Sequence, residues 1–246
     1  MKQLILSLEL PPSFDDKDFI VSSCNKEAYL WLTRWPNWPN RCLAIYGDEG
    51  CGKTHLSNIW QMNTKAKYLK GQDFNTTDLE TLFEKPNLFV LDDAHLIEKE
   101  EKFFHFYNHL IDSKGGLLLS SRTPPAHWGK SLPDLRSRLN SIPALKIHAP
   151  DEALLFQVIQ KLFSDFQLHV DETVVNFLLK HMERSFEKAR FWVETLNAYA
   201  LIQNRRITIP MVREALFVES LAEIHLQPLP STNLNLSSDQ EETEIP

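Results

Sequence analysis

Eight consecutive residues, Gly47-Asp48-Glu49-Gly50-Cys51-Gly52-Lys53-Thr54, carry the clearest chemistry in the chain. They read Gly-x4-Gly-Lys-Thr, follow the apolar run Cys42-Leu43-Ala44-Ile45-Tyr46, and lead through His55 and Leu56 into residues suited to a helix. Strand, glycine-rich turn and helix are the order that a phosphate-binding loop requires. Glycine lets the backbone aim several N–H groups at one point with no Cβ in the way, and the N-terminus of the following helix adds partial positive charge there. Gly47 through His55 are therefore the candidate contacts of a nucleotide polyphosphate. Lys53 would reach the β- and γ-phosphates, and the Thr54 hydroxyl would be a ligand of Mg²⁺. Three of the chain's seven glycines fall in this loop, which argues against an incidental glycine-rich turn.

A second landmark is Asn87-Leu88-Phe89-Val90-Leu91-Asp92-Asp93, an apolar run that ends in two carboxylates. If the run is a buried strand of a parallel sheet, the acids emerge at its carboxyl end, where open α/β sheets bind ligands. Asp92 would then hold Mg²⁺ or one of its waters, and Asp93 would orient an attacking water; the bland alternative is a solvated turn. Gly115-Gly116-Leu117-Leu118-Leu119-Ser120-Ser121 reads as another buried strand, and its terminal hydroxyls, Ser120 and Ser121, are candidate sensors of the nucleotide. His95 directly follows the acids. His105 and His109 lie four apart on a helical pattern, but no Glu follows His105, so the metalloprotease motif fails and ordinary helix histidines are the better reading. In Leu135-Arg136-Ser137-Arg138-Leu139 the two arginines point to different sides of a short helix. A projecting guanidinium would suit an arginine finger, yet the residues alone favour a solvated face.

The elements that must position these groups alternate between strand and helix as far as residue 150. Helical patterns cover residues 18–34, 56–62, 77–84 and 132–139, with Thr77 as N-cap and Glu80 at the capping-box spacing in the third. Short strands fall at 42–46, 67–69, 88–91, 116–121 and 145–147. Trp35-Pro36-Asn37-Trp38-Pro39 is an aromatic turn whose tryptophans read as packing. Beyond Pro150 four helices, 151–166, 171–182, 186–203 and 210–223, follow with no strand between them, which sets a domain boundary. At the other end Gln3-Leu4-Ile5-Leu6-Ser7-Leu8 has a period-two pattern that fits either an edge strand or an extended peptide docking its leucines into a partner. The stretch after Leu226 is rich in Pro, Ser, Asn and Glu and is expected to be disordered.

At 246 residues the chain is long enough for a large core plus a small second domain. Its net charge of −7 argues against nonspecific DNA binding by the whole, and no recognition helix is evident. Cys24, Cys42 and Cys51 have no metal spacing and read as reduced thiols. With no signal peptide or membrane span, the expected compartment is the cytoplasm.

This layout resembles the AAA+ ATPases, and in detail the DnaA clade. The residues that carry the likeness are Gly50-Cys51-Gly52-Lys53-Thr54-His55-Leu56, Val90-Leu91-Asp92-Asp93-Ala94-His95, Leu119-Ser120-Ser121-Arg122-Thr123-Pro124-Pro125 and Leu135-Arg136-Ser137-Arg138-Leu139. The resemblance implies an α/β P-loop AAA+ parallel-sheet core at 14–149, an all-helical lid at 150–224 and an acidic tail at 225–246. It implies ADP or ATP with Mg²⁺ as cofactors, and it makes Arg138 the arginine finger. The chain stops where an initiator would continue into a helix-turn-helix domain, and with its Gln-Leu-x-Leu opening it is similar to the Hda family, regulatory inactivators of DnaA. The tryptophan lead-in is similar to the alphaproteobacterial branch of that family.

The Hda resemblance implies that residues 1–13 form a peptide binding the DNA sliding clamp through Gln3, Leu4 and Leu6. It also implies that DnaA is the partner and that the chain works at the replisome with little direct DNA binding, a homo-oligomer being a further option. The reaction implied is hydrolysis of DnaA-bound ATP completed in trans, with weak or no turnover of the chain's own nucleotide. Rival readings are a self-sufficient ATPase of the DnaC-like helicase-loader kind, using Asp93 on its own nucleotide, and a nucleotide-stabilised adaptor at replication forks. The sequence departs from the family at the lid arginine: a gapless alignment puts Glu187 there, and Lys188 or Arg190 could take its place only through a small register shift.

Overall fold

The computed structural model describes residues 19–83 and 87–226, with side chains as far as residue 219. In chain order the elements are α1 (Lys26–Leu32), β1 (Cys42–Tyr46), α2 (Lys53–Thr64), β2 (Lys67–Lys70), α3 (Gly71–Thr76), α4 (Leu79–Phe83), β3 (Leu88–Asp92), α5 (Glu100–Asp112), β4 (Gly116–Ser121), α6 (Pro133–Asn140) and β5 (Ala144–Lys146). Only helices follow: α7 (Glu152–Asp165), α8 (Glu172–His181), α9 (Phe186–Gln203) and α10 (Ile209–Leu226). The clamp-peptide reading of Gln3 to Leu8 and the tail reading beyond residue 226 lie outside the described residues.

The strands form one parallel sheet in the order β2-β3-β4-β1-β5. Both faces of the inner strands are apolar, so the sheet must be covered on both sides. Phe89 and Leu91 of β3, with Leu117 and Leu119 of β4, pack one face against Phe74, Phe103, Phe106 and Leu135. Val90 and Leu118 point the other way, into a cluster with Leu43, Ile45, Leu56 and Trp60. The Trp35–Pro39 turn belongs to this second face: Trp38 stacks on Trp60 at 5.2 Å, and Trp35 meets both edge-on. The tryptophans are packing, as their position beside the core suggests. Helices α7 to α10 enclose a separate cluster built on Leu155, Ile159, Leu178, Trp192, Val193 and Met211.

Register brings the functional ends of three strands level. Tyr46 of β1 pairs with Ser121 of β4, Leu91 of β3 with Leu119, and Lys70 of β2 with Asp92. The phosphate-loop sequence, the two acids and the serines therefore leave the sheet along one edge.

The structure departs from the sequence reading at three local points. Helix α3 was not foreseen, because Gly71–Thr76 buries only Gly71 and Phe74 and shows no apolar period. Thr77 is not an N-cap: its hydroxyl donates to the Asp73 carbonyl (2.8 Å) and closes α3, while the Asp78 carbonyl accepts the first bond of α4. Helix α1 is also shorter than its pattern, since Asn25 spends its side chain on Ser22 N–H (2.9 Å) and the Ile20 carbonyl (3.1 Å) in the preceding turn. All three cysteines are free and buried. Among the described residues no helix is long and apolar enough to cross a membrane.

Because Leu91 is fully buried beside the acids, Leu91→Ala should destabilise the fold by about 2–5 kcal/mol in chemical denaturation.

Candidate functional site

The loop between β1 and α2 has the backbone its sequence demands. Gly50 and Gly52 adopt φ of +72° and +101°, conformations that L side chains rarely take. Space is as restrictive as conformation. A Cβ on Gly47 would lie 2.3 Å from the Ile147 carbonyl oxygen, and one on Gly50 would lie 2.6 Å from Ser185 Cβ. Lys53, 8% exposed, folds over this turn and donates to the carbonyls of Gly47 (2.9 Å) and Asp48 (2.7 Å). Its third donor reaches only Cys51 Sγ at 3.8 Å, a long, weak contact that an anionic oxygen would readily displace.

The loop's other side chains are kept from opposing an anion. Burial pushes the Cys51 thiol up, with Lys53 only partly offsetting it, so at neutral pH the sulfur is uncharged. Asp48 and Glu49 are exposed. The Glu49 carboxylate accepts from Arg122 at 2.8 Å, an exposed pair that masks charge but adds little stability.

At the end of β3, Asp92 is 6% exposed and accepts from three hydroxyls on three different elements. Thr54 of α2 donates to Oδ2 at 3.3 Å, Tyr68 of β2 donates to the same oxygen at 2.5 Å, and Ser120 of β4 donates to Oδ1. Burial, with Asp92 adding to it, raises Tyr68 far above the ordinary phenol range, which keeps it a donor. Ser120 Oγ also accepts from the Asp93 N–H at 3.3 Å, binding the two acids' strand end to β4. Asp93 itself turns out of the strand with φ +50° and is half-buried. Ser121 does not join them, since its hydroxyl donates to the Thr123 carbonyl at 2.6 Å.

The lid helices close the other side of the loop. The N–H of Phe186, first residue of α9, donates to the Gly50 carbonyl at 3.2 Å, and Ser185 caps that helix by accepting from Lys188 N–H. Between loop, lid and the segment before α1 lies a cavity of about 170 Å³, lined by Phe19, Ile20, His55, Leu154, Phe186 and Arg190 among others. Of the three lid residues that the sequence singles out, only Arg190 faces this cavity, its Nε donating to Glu194 at 3.0 Å. Glu187 is exposed, and Lys188 lies over the Phe191 ring at 5.4 Å.

Arg138 stands apart from this constellation. Leu135 and Leu139 bury one face of α6, leaving Arg136 and Arg138 exposed on the other, and Arg138 makes no ion pair with any described residue. His105 and His109 sit on α5 away from the loop, His109 stacked on Phe83, and the described residues contain no cluster suited to a metal by His, Cys, Asp and Glu alone. Sequence reading missed Tyr68, Arg122 as the partner of Glu49, and the Phe19–Ile20 wall. Only the strand order, which sets β2 beside β3, could have pointed to Tyr68.

His95 is near the acids, and its Nδ1 is buried without a hydrogen-bond partner among the described residues. Burial lowers its pKa below the usual 6.5, against the pull of Asp93. The unfolded chain thus takes the proton more readily, so the stability linked to His95 is fully present above pH 6.5 and is lost as pH falls below it. Thermal midpoints measured from pH 7 to 5 should decline less steeply in His95→Gln than in the unsubstituted protein.

Known proteins agree with this geometry. The model of the bacterial DnaA ATPase domain matches residues 10–143, and the model of the Hda lid domain matches residues 153–216. The chromosomal replication initiator DnaA of Aliarcobacter butzleri is 24% identical over 237 residues, covering 87% of this chain and 54% of the relative. That of Helicobacter pylori is 25% identical over 262 residues, covering 95% and 56%. The chain thus spans about half the length of these curated relatives. Among solved structures, domain III of Thermotoga maritima DnaA superimposes with a TM-score of 0.74 at 21% identity, covering 85% of this chain and 98% of that one. AMPPCP-bound DnaA of Aquifex aeolicus gives 0.68 at 20%, covering 88% and 71%. The Thermotoga maritima RuvB branch-migration motor gives 0.64 at 17%, covering 84% and 72%. The fold is the α/β P-loop AAA+ fold, and with more than half its length matched by the DnaA ATPase-domain model the chain belongs to the bacterial DnaA ATPase-domain family.

Proposed function

We propose that this chain is a nucleotide-holding regulator of replication initiation that supplies Arg138 in trans to ATP bound on DnaA, assisted by the DNA sliding clamp. The observation that carries the reading is Arg138 itself: exposed, and without an ion-pair partner among the described residues, on a helix whose rotation is fixed by buried Leu135 and Leu139. A guanidinium carried on a fixed helix, with no partner among the described residues, can stabilise charge developing on a phosphoryl group that a neighbour holds. The lid-family match supports the Hda type, and residues 14–149 and 150–224 serve as core and lid.

The chain's own site suits ADP or ATP, the class of ligand named for the Aquifex relative. The amides from Gly47 to Thr54 and the Lys53 ammonium would hold the phosphates, and the apolar cavity beside Phe19, Ile20 and His55 would take the base. Arg190 replaces the expected lid arginine one turn along α9. Thr54 and Asp92 would hold Mg²⁺, which neutralises phosphate charge when bound; two oxygen donors this close suit a hard cation. Ser120 keeps Asp92 and Asp93 in place. Gln3, Leu4 and Leu6 would dock on the clamp, placing the protein in the cytoplasm at the replisome.

Hydrolysis by ATP-loaded DnaA, measured with this protein and DNA-loaded clamp and with each omitted in turn, tests the proposal. Arg138→Ala should return the rate to its unstimulated value, a loss on the order of a thousandfold where the finger is fully engaged. Unchanged stimulation would sink the reading. The rival, a self-sufficient ATPase, has one observation in its favour: Asp93 stands beside Ser120 at the strand end, where a water-orienting carboxylate is needed. On the proposed reading, purified protein alone shows little ATP turnover above its Lys53→Ala variant.

A further inference from the structure

The helix that bears Arg138 is gripped at its start by a residue of another helix. Leu132 occupies the N-cap of α6 and Pro133 its first position, so α6 has no capping side chain of its own. A helix start without side-chain partners frays unless its orphan donors find acceptors elsewhere. Here the acceptor is Glu100, first residue of α5. Its Oε1 accepts from Ser131 N–H at 3.0 Å, and its Oε2 accepts from Leu132 N–H at 2.7 Å and from Ser131 Oγ at 2.9 Å. These bonds hold the Glu100 carboxyl below the usual carboxylate range, with Leu132 N–H the largest cause. Beside them Lys130 donates to the Ile97 carbonyl, a second tie between the same two segments.

The direction of these ties matters. Residues 94–100 form the segment that leaves Asp92 and Asp93, and residues 130–132 lead straight into the helix of Arg138. At the other end Ser141 closes α6 locally, its hydroxyl donating to the Arg138 carbonyl at 2.7 Å. With Leu135 and Leu139 buried beneath, α6 is fixed in rotation by its apolar side and in position at its start by Glu100 of α5.

We infer that Glu100 is a positioning residue for Arg138: its carboxylate, by holding Ser131 and Leu132, sets where the guanidinium stands when a partner's nucleotide meets this face. The inference rests on the function proposed above, that Arg138 acts in trans. A displacement of about an ångström at a catalytic group can cost up to a hundredfold in rate, so a modest slackening at residues 131–132 is enough to be read in turnover.

The test pairs stimulated DnaA hydrolysis with hydrogen exchange on the full chain. Glu100→Ala should lower the maximal stimulated rate about tenfold or more while leaving the concentration for half-maximal stimulation and the affinity for ADP unchanged. Amides of residues 131–136 should exchange about tenfold faster, with those of the lid unaffected. Glu100→Gln keeps one carbonyl acceptor and should restore most of the rate, which a general loss of folding would not allow. If the unsubstituted protein stimulates and Arg138→Ala abolishes the effect, but Glu100→Ala stimulates fully, the positioning role is overturned alone. If half-maximal concentration rises with the maximal rate unchanged, Glu100 is a docking contact and the inference is likewise overturned. If the unsubstituted protein gives no stimulation, the function proposed for Arg138 falls and this inference with it.

Discussion

Everything around the site depends on burying the charge of Asp92. Moving a carboxylate out of water costs several kcal/mol unless hydrogen bonds replace the lost solvation. The replacements come from Thr54, Tyr68 and Ser120, and each belongs to a different element. The carboxylate is therefore satisfied only when β2 and β4 flank β3 and the start of α2 lies across their ends. Sheet order, register and the first turn of the helix are thus coupled through one side chain. A chain that paired these strands in another order would strand a charge in the core.

The same economy of partners governs the phosphate loop and the lid. Lys53 donates to two loop carbonyls and reaches Cys51 Sγ, which brings a nearly buried ammonium to the turn with no ion-pair partner among the described residues. Its charge is available to an anion from outside the chain. The lid adds the remaining wall, because the start of α9 packs against Gly50 and Gly52 closely enough to bar a side chain at Gly50. Loop and lid are joined by the Phe186-to-Gly50 bond, so a ligand that tightens the loop also acts on the first turn of α9. Arg190, four residues into that helix after Phe186, then borders the same cavity.

What was legible in the sequence was local. The glycine loop, the paired acids, the strand-to-helix alternation and the strand-free run of helices after Pro150 are written in contiguous residues. What was not legible depends on how separate segments meet. Tyr68 becomes a partner of Asp92 only because β2 is the neighbour of β3, and nothing in Lys67-Tyr68-Leu69 encodes that adjacency. Arg122 finds Glu49 across 73 positions. Thr77 misled because a threonine hydroxyl can accept at a helix start or donate at a helix end, and its spacing to Glu80 suits the first use while the fold makes the second. The lid arginine was ambiguous in one dimension, since Glu187, Lys188 and Arg190 are near neighbours in sequence. On a helix they face different ways, and of the three only Arg190 lines the cavity beside the loop.

Arg138 shows how the fold separates positioning from partnership. Arg41, Arg122, Arg184 and Arg190 all find acceptors within the chain, whereas Arg138 finds none among the described residues. Exposure of an unpaired arginine costs a fold little, so its freedom alone says nothing. Its backbone, however, is not free: two buried leucines and the Glu100 carboxylate hold α6 against the core and α5. A firmly placed helix carrying a cation with no ion-pair partner among the described residues has a physical rationale if the charge that cation meets arrives with a second molecule. Fixing the helix removes the backbone's share of the entropic cost of ordering a long cation and leaves only the side chain's own torsions to be ordered.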